Sequence, residues 1–173
     1  MLGVVLSESA KIQPMGWVLI IGFVVVLVGG VIIGRKIDKK NSSQFDAEVD
    51  KQFADKLVCG NRNIFITSDN ELVLRYKNMG QSGYKLFQLN GVKYIMSCWD
   101  SSTKSWHIGL YNEKKKLIAG EDHKAGKKKV FNTKASFPAR SESVEFLEMI
   151  MKYTPDAELV GLYFKEYKGS LKK

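Results

Sequence analysis

The sequence contains few of the residues from which disulfide scaffolds and metal sites are built. Of its 173 residues, two are Cys, two are His and three are Pro. Cys59 and Cys98 are too few for a disulfide-stabilised fold and lack the C-x-x-C spacing of zinc or redox sites. Neither His107 nor His123 has a second metal-type residue at i+3 or i+4. The sequence therefore predicts no metal site and no cofactor.

Signatures of the common enzyme classes are also missing. In GEDHKAGKK (120–128), five residues separate the glycines where a phosphate-binding loop has four, and Lys128 stands where Ser or Thr would hold magnesium. No G-x-S-x-G motif is present. Cys98 lies in a predicted strand among apolar residues, which is typical of an inert buried thiol. We expect a protein that is not an enzyme. The alternative, an unfamiliar catalytic site, would require a deep polar pocket that holds His107 or Cys98.

One long uncharged run contributes much of the hydrophobic content. Residues 15–34, MGWVLIIGFVVVLVGGVIIG, carry no charge, and as a helix they would extend about 30 Å, the thickness of a bilayer's hydrocarbon core. Lipid offers no partners to backbone polar groups, so a helix is enforced there. A cleaved signal peptide is the alternative, but its apolar stretch is shorter and its positive charge precedes that stretch. The run predicts a single retained transmembrane helix.

Basic residues are concentrated on one side of this run. Residues 1–14 contain one basic side chain, Lys11. Four cations follow the run closely and are expected to contact the membrane surface, namely Arg35, Lys36, Lys39 and Lys40. The positive-inside rule therefore places the C-terminal domain in the cytoplasm, at the cell membrane, and the short N-terminal tail outside. The alternative is an extracytoplasmic domain that serves as a structural subunit of an envelope or secretion assembly.

Glycines within the run would allow a second helix to approach closely. Gly30 and Gly34 form a G-x-x-x-G pair, and Gly22 and Gly29 lie seven residues apart. Glycine is also common in transmembrane helices that have no helical partner. Both interpretations stay open for these four residues.

The segment after the run predicts a linker and a short amphipathic helix. The polar residues 41–43 interrupt the pattern, so we expect a basic juxtamembrane linker over 35–43. Ser43 and Asp46 form an imperfect capping box, and apolar residues then recur every fourth position, which predicts a helix over 44–58. Its apolar stripe is expected to pack on the domain that follows, although such a stripe can also bind a partner. The stripe consists of Phe45, Val49, Phe53 and Leu57.

From residue 62 onward the apolar residues alternate and turn residues recur at short intervals, which predicts antiparallel β-structure. The dipeptide Asn90-Gly91 favours a type I′ turn and thus a hairpin between the strands beside it. Seven strands are expected, at 63–67, 71–76, 84–89, 92–99, 105–111, 116–120 and 129–137. After Pro138, apolar residues at helical spacing predict a helix that ends near Tyr153, because Pro155 disfavours helical geometry at Thr154. The state of 156–173 is left open.

The order of these elements resembles that of a pleckstrin-homology-like (PH-like) domain. Seven antiparallel strands are followed by one amphipathic helix, and SESVEFLEMIMKYTP (141–155) resembles the ending of many bacterial PH-like domains on membrane anchors. The resemblance covers residues 61–155. It implies a membrane-anchored α+β fold in which the C-terminal helix closes one end of a bent sheet. It also implies protein association more than phosphoinositide recognition, because bacterial PH-like domains often serve the former.

The net charge of +9 comes partly from lysines around one predicted hairpin. Residues 114–134 contain eight lysines but only two acidic residues, Glu121 and Asp122, which gives a local surplus of six positive charges. The eight are Lys114, Lys115, Lys116, Lys124, Lys127, Lys128, Lys129 and Lys134. They form either a solvated loop or a contact with anionic lipid headgroups. Aromatic residues do not alternate with them, so we expect no nucleic-acid binding.

Together these patterns predict a non-enzymatic, single-pass membrane protein. It would present a PH-like interaction domain at the cytoplasmic face, for association with a protein partner, for homo-oligomer formation or for assembly of a membrane complex. The lysine-rich hairpin would orient the domain against anionic lipid.

Overall fold

The computed structural model describes residues 14–100, 105–139 and 143–160. The N-terminal tail predicted over 1–14 lies almost entirely outside the described residues, as does most of 156–173. The predicted α+β class is confirmed, and these described residues contain ten strands where seven were expected. The elements are α1 Pro14–Phe53, β1 Leu57–Gly60, β2 Ile64–Thr67, β3 Glu71–Asn78, β4 Gln81–Gln88, β5 Tyr94–Asp100, β6 Ser105–Tyr111, β7 Ala119–Lys124, β8 Phe131–Lys134, β9 Ser136–Ala139, α2 Ser143–Tyr153 and β10 Glu158–Val160.

The N-terminal part of α1 is apolar and exposed. It contains an 18-residue window with a mean hydropathy of 2.6, and no residue of that window is buried. Among the described residues this is the one helix that is long and apolar enough to cross a membrane. An apolar helix of this length that the protein does not cover is consistent with the predicted transmembrane helix over 15–34.

α1 does not end where the apolar run ends. The predictions of a linker over 35–43 and of a separate helix over 44–58 are wrong, because one helix of 40 residues passes through both segments. Ser43 Oγ donates to Lys40 O within the helix at 2.9 Å, and Ser42 Oγ donates to Gly80 O, in the turn between β3 and β4, at 2.8 Å. Both hydroxyls are satisfied while the helical backbone continues, so polar residues that favour a break do not cause one.

The strands form two sheets. The first sheet has the order β1-β2-β3-β4-β7-β8 and is antiparallel throughout. The second sheet has the order β10-β5-β6-β9, in which β10 alone runs parallel to its neighbour. Both sheets and α2 contribute side chains to one main core. Buried members of this core include Ile66, Leu72, Phe87, Ile95, Leu110, Leu147 and Ile150.

The segment predicted as one strand over 129–137 is two strands, because the chain changes sheets within it. β8 pairs with β7 in the first sheet, and β9 pairs with β6 in the second. Ala135 lies at the change and is fully buried. Its N–H donates to Ile118 O at 2.8 Å and its carbonyl accepts from Leu110 N–H at 2.9 Å. The segment thus joins the two sheets at one corner.

The turn at Asn90-Gly91 is present, but the predicted hairpin is wrong. Leu89 O accepts from Val92 N–H at 3.2 Å, and Gly91 has a φ of +85°. Asn90 does not have a positive φ, so the turn is not of the predicted type I′. Positive φ at the second central position alone is the geometry of a type II turn. β4 and β5, on either side of this turn, belong to different sheets and do not pair with each other.

The C-terminal half of α1 packs on the outer face of the first sheet. Val49 and Phe53 are buried against Phe65, Val73 and Tyr84 in a second apolar cluster. The predicted burial of the helical stripe is confirmed for Val49 and Phe53, and Phe45 packs against the same cluster. Leu57, the fourth member, belongs instead to β1 and is 47% exposed. The first sheet is therefore covered on both faces.

Candidate membrane interface

Hydrogen bonds fix α1 to the turn between β3 and β4. Ser42 is buried, and its Oγ donates to Gly80 O at 2.8 Å and accepts from Ser82 N–H at 3.1 Å. Ser82 Oγ donates to Asp46 Oδ2 at 3.0 Å. Ser42 follows Gly34, the last residue of the apolar run, by eight positions, or about 12 Å at 1.5 Å per residue. The turn is thereby held at a fixed distance from the apolar part of the helix.

An ion pair fixes the other end of the contact between α1 and the first sheet. Asp50 lies 2.7 Å from Arg75 Nη1 and 2.7 Å from Arg62 Nη2. Burial acts to raise the pKa of Asp50, but the hydrogen bonds and charges of Arg75 and Arg62 outweigh it and lower that pKa below its ordinary value. The Arg75 side chain is only 11% exposed and lies 6.0 Å from the ring centroid of Phe65. Arg75 therefore depends on Asp50 for charge compensation.

The polar residues of β7 are engaged in structural contacts. The ring of His123 stacks on Tyr84 at 4.4 Å, and its Nε2 lies 2.8 Å from Glu121 Oε2. The Tyr76 hydroxyl donates to Asp122 Oδ1, and burial together with this contact raises the pKa of Tyr76. The segment 120–128, most of which falls between the strands predicted at 116–120 and 129–137, is strand up to residue 124.

The residues named for the catalytic alternative are neighbours in the second sheet. The register of β5 and β6 pairs Cys98 with His107. The side chain of Cys98 lies outside the described part of the structure. Within that described part, no three His, Cys, Asp or Glu side chains are grouped to hold a metal ion.

Six of the eight lysines predicted to form one patch lie in two separate connections, whereas Lys124 and Lys134 are the last residues of β7 and β8. Residues 114–116 belong to the connection between β6 and β7, whereas residues 127–129 belong to the turn between β7 and β8. These turns flank opposite ends of β7, whose six residues span about 17 Å at about 3.3 Å per step. The prediction that a single hairpin holds all these lysines is wrong, because β7 starts at Ala119 and not at Lys116. The sequence pattern missed this start because Gly120 suggests a turn.

Gly120 is required inside β7 for a packing reason. A Cβ at this position would lie 2.3 Å from Phe87 Cδ1 and 2.4 Å from Leu86 O. Phe87 is fully buried in the main core. A glycine in a strand often marks such a close approach.

The turn between β7 and β8 lies beside α1. Ala125 N–H donates to Ser82 O at 2.9 Å, and a Cβ at Gly126 would lie 3.6 Å from Asn41 Nδ2. The exposed lysines of this turn are therefore near the part of α1 that directly follows the basic collar, which we define as Arg35, Lys36, Lys39 and Lys40. All four collar residues are exposed. The structure thus brings Lys127, Lys128 and Lys129 toward the collar, and Lys114, Lys115 and Lys116 away from it.

Lys124 differs from the other predicted lipid contacts. Its Nζ lies 3.1 Å from Asp122 Oδ2 and 5.7 Å from the ring centroid of Phe131. Much of its charge is therefore already compensated within the domain.

Met79 was assigned no role by the sequence patterns, yet it is the most exposed large apolar side chain outside the span among the described residues, at 98%. It lies in the turn between β3 and β4, with a φ of +48°. The signal that could have identified it is an apolar residue between Asn78 and Gly80, where turn chemistry favours polar residues or glycine.

The glycines of the apolar run lie on an open helix surface. A Cβ at Gly22, Gly29, Gly30 or Gly34 would meet nothing within 4 Å. Packing of a second helix on this surface stays a prediction.

Comparisons with known proteins assign no family to this chain. No protein-family model matches it, and no curated protein or solved structure is significantly similar to it.

Proposed function

We propose that this chain is a non-catalytic, single-pass membrane protein that presents an interaction domain at the cytoplasmic face of the cell membrane. The domain would associate with a protein partner or assemble a membrane complex. The observation that carries this proposal is the continuity of α1, because the helix that contains the apolar run also packs on the first sheet.

This continuity favours presentation of a surface over simple tethering. A flexible linker would let the domain reorient freely, whereas a helix fixed by Ser42, Asp50 and Phe53 gives it one height and one orientation. A domain held in this way offers the same surface to every partner in the plane of the membrane. The basic collar supports the cytoplasmic side by the positive-inside rule.

The resemblance to bacterial PH-like domains supports a protein partner over a specific lipid. A free sheet edge is one surface on which such a partner could bind. In the described part of the chain β8 pairs only with β7, so its other edge has no neighbouring strand. Phe131 on β8 is 44% exposed. An exposed edge with an apolar side chain suits the addition of a strand from a partner.

A reporter fusion tests the topology. Green fluorescent protein fused after Lys173 should fluoresce, and alkaline phosphatase fused at the same point should be inactive. Active phosphatase with dark fluorescent protein would overturn the cytoplasmic assignment and favour the extracytoplasmic envelope subunit.

Photo-crosslinking in living cells tests the association. A benzophenone amino acid at Asn132, on β8, should give a discrete protein adduct, whereas the same probe at the exposed turn residue Asp69 should not. Co-expression of a differently tagged copy separates a homo-oligomer from a different partner. Equal adduct yields at Asn132 and Asp69 would contradict a contact at the β8 edge.

A further inference from the structure

Two turns form what we call the membrane-side end of the first sheet. One is the β3–β4 turn, residues 78–81, which Ser42 binds at Gly80. The other is the β7–β8 turn, residues 125–130, which Ala125 joins to Ser82. Both turns therefore lie beside the same level of α1, directly after the basic collar.

The helix geometry brings this end within reach of lipid headgroups. Ser42 is about 12 Å beyond the end of the apolar run. The interfacial layer of a bilayer is about 5–8 Å thick on each side, so Ser42 lies only a few ångströms beyond it. The surface potential of anionic lipid extends over a Debye length of about 8 Å at physiological ionic strength. The turns next to Ser42 thus lie inside this potential without any movement of the domain.

The charge of this end complements an anionic surface. Lys77 at the end of β3 and Lys127, Lys128 and Lys129 in the β7–β8 turn are all exposed. Two nearby carboxylates are already engaged. Asp46 accepts from Ser82, and Asp122 accepts from Tyr76 and pairs with Lys124.

Apolar side chains project among these lysines. Met79 is 98% exposed and Val130 is 49% exposed. Met79 also has a positive φ, a conformation that is unfavourable for a residue with a Cβ. Neither its packing nor its backbone therefore explains a methionine at this position. Apolar side chains at the tip of a basic surface are typical of elements that enter the boundary between headgroups and acyl chains.

We propose that the membrane-side end is a second membrane contact, in which Met79 and Val130 enter the headgroup layer while Lys77 and residues 127–129 bind lipid phosphates. The ligand is the anionic phospholipid of the same bilayer that holds α1. This inference rests on the proposed membrane anchoring. It excludes Lys114, Lys115 and Lys116, which lie beyond the far end of β7, about 17 Å further along the strand and about two Debye lengths away.

Photo-crosslinking of the full chain in proteoliposomes tests this contact. A benzophenone amino acid is placed at Met79 or, as the matched control, at Lys115, an exposed turn residue with a similar φ of +54°. Vesicles contain either phosphatidylcholine alone or a mixture with phosphatidylglycerol. We expect lipid adducts at position 79, more of them with phosphatidylglycerol, and background yields at position 115. Equal yields at 79 and 115 would overturn the proposal.

Charge variants give a second readout. Replacement of Lys127, Lys128 and Lys129 by Gln should reduce the yield of lipid adducts at position 79. Each basic residue near the surface contributes about 1 kcal/mol, which is about fivefold in the equilibrium constant for headgroup binding at this end. The same triple replacement at Lys114, Lys115 and Lys116, with the probe at 79, should leave the yield unchanged. An equal effect of both triple variants would contradict a localised contact.

A probe in the span separates failure of this inference from failure of the proposed function. The same probe at Leu27 should give lipid adducts whether or not the turns contact lipid. Adducts at position 27 without adducts at position 79 would refute the second contact alone. Absence of adducts at both positions would refute membrane anchoring as well.

Discussion

The two halves of α1 have the same secondary structure but opposite surroundings. In the N-terminal half, apolar side chains such as Phe23 and Val26 are 67% and 72% exposed. In the C-terminal half, Val49 and Phe53 are 3% and 4% exposed, because the first sheet covers them. Burial by the protein therefore accounts for the apolar residues of the second half only, and those of the first half need a different apolar environment. The proposed membrane anchoring would place them in a bilayer, and each difference between the halves can be tested by substitution.

The largest effect is expected from charges in the N-terminal half. Arg at both Val24 and Val28 should prevent membrane insertion, because each Arg near the centre of a span costs about 2.5–3.5 kcal/mol. Alkaline carbonate extraction measures the loss. The same residues at the same spacing on the exposed face of the other half, Ala47→Arg with Lys51→Arg, should leave the protein in the membrane fraction. Insertion of the Val24/Val28 variant would show that this half is not a membrane span.

Truncation of an aromatic side chain should affect the stability of the β domain only in the C-terminal half of α1. Phe53→Ala should lower the free energy of unfolding of the β domain by about 3–5 kcal/mol, since it leaves a cavity against Phe65 and Tyr84. Phe23→Ala, in the exposed half, should leave it unchanged. Denaturant unfolding of the full chain in detergent, followed by near-ultraviolet circular dichroism, measures both. Equal losses of unfolding free energy in the two variants would contradict the burial of Phe53 by the first sheet and the exposure of Phe23.

The ion pair between Asp50 and Arg75 predicts a pH-dependent contribution to stability from the C-terminal half of α1. Asp50→Asn should lower the free energy of unfolding by about 1–2 kcal/mol near neutral pH, because Arg75 would lose its charged partner. This value is reduced to account for solvent screening, since Asp50 is partly exposed. The folded-state pKa of Asp50 is lowered, so its contribution is complete above about pH 4–5 and is lost as the pH falls through that lowered pKa. Wild type and variant should therefore converge in stability in acid. A difference that persists unchanged at low pH would exclude this mechanism.

The smallest effect is expected from two adjacent serines. Ser42→Ala should destabilise the domain by about 1 kcal/mol, because it removes the bonds to Gly80 and Ser82. Ser43→Ala should have almost no effect, since its exposed hydroxyl bonds only within the helix. Thermal unfolding of the two variants side by side measures the difference. Identical midpoints would show that Ser42 does not fix the turn.

Patterns that depend on the hydropathy of long segments were predicted well from the sequence. The apolar run and the last helix are examples, since Leu147 and Ile150 are buried on α2 as their spacing indicates, and α2 ends at Tyr153. In both cases many residues give the same signal, so no single exception changes the result.

Features that depend on one tertiary contact were not predictable in the same way. Polar residues 41–43 suggest a break, but Ser42 is satisfied by Gly80, which is distant in sequence. The short strands β1 and β10 lie outside the predicted limits 61–155 and give little periodic signal, since they have four and three residues. The role of the membrane-side end required knowledge of which turns lie beside α1. Spacing alone does not contain that information.

Because α1 is unbroken, the number of residues between Gly34 and Ser42 sets the rotation of the β domain around the helix axis. One residue inserted between Gly34 and Ser42 would turn the whole β domain by about 100° around the helix axis and shift it by about 1.5 Å. Seven residues would return it almost to its original azimuth, about 10 Å farther from the bilayer. The length of this segment is therefore a selectable parameter that sets which side of the domain a neighbour in the membrane encounters.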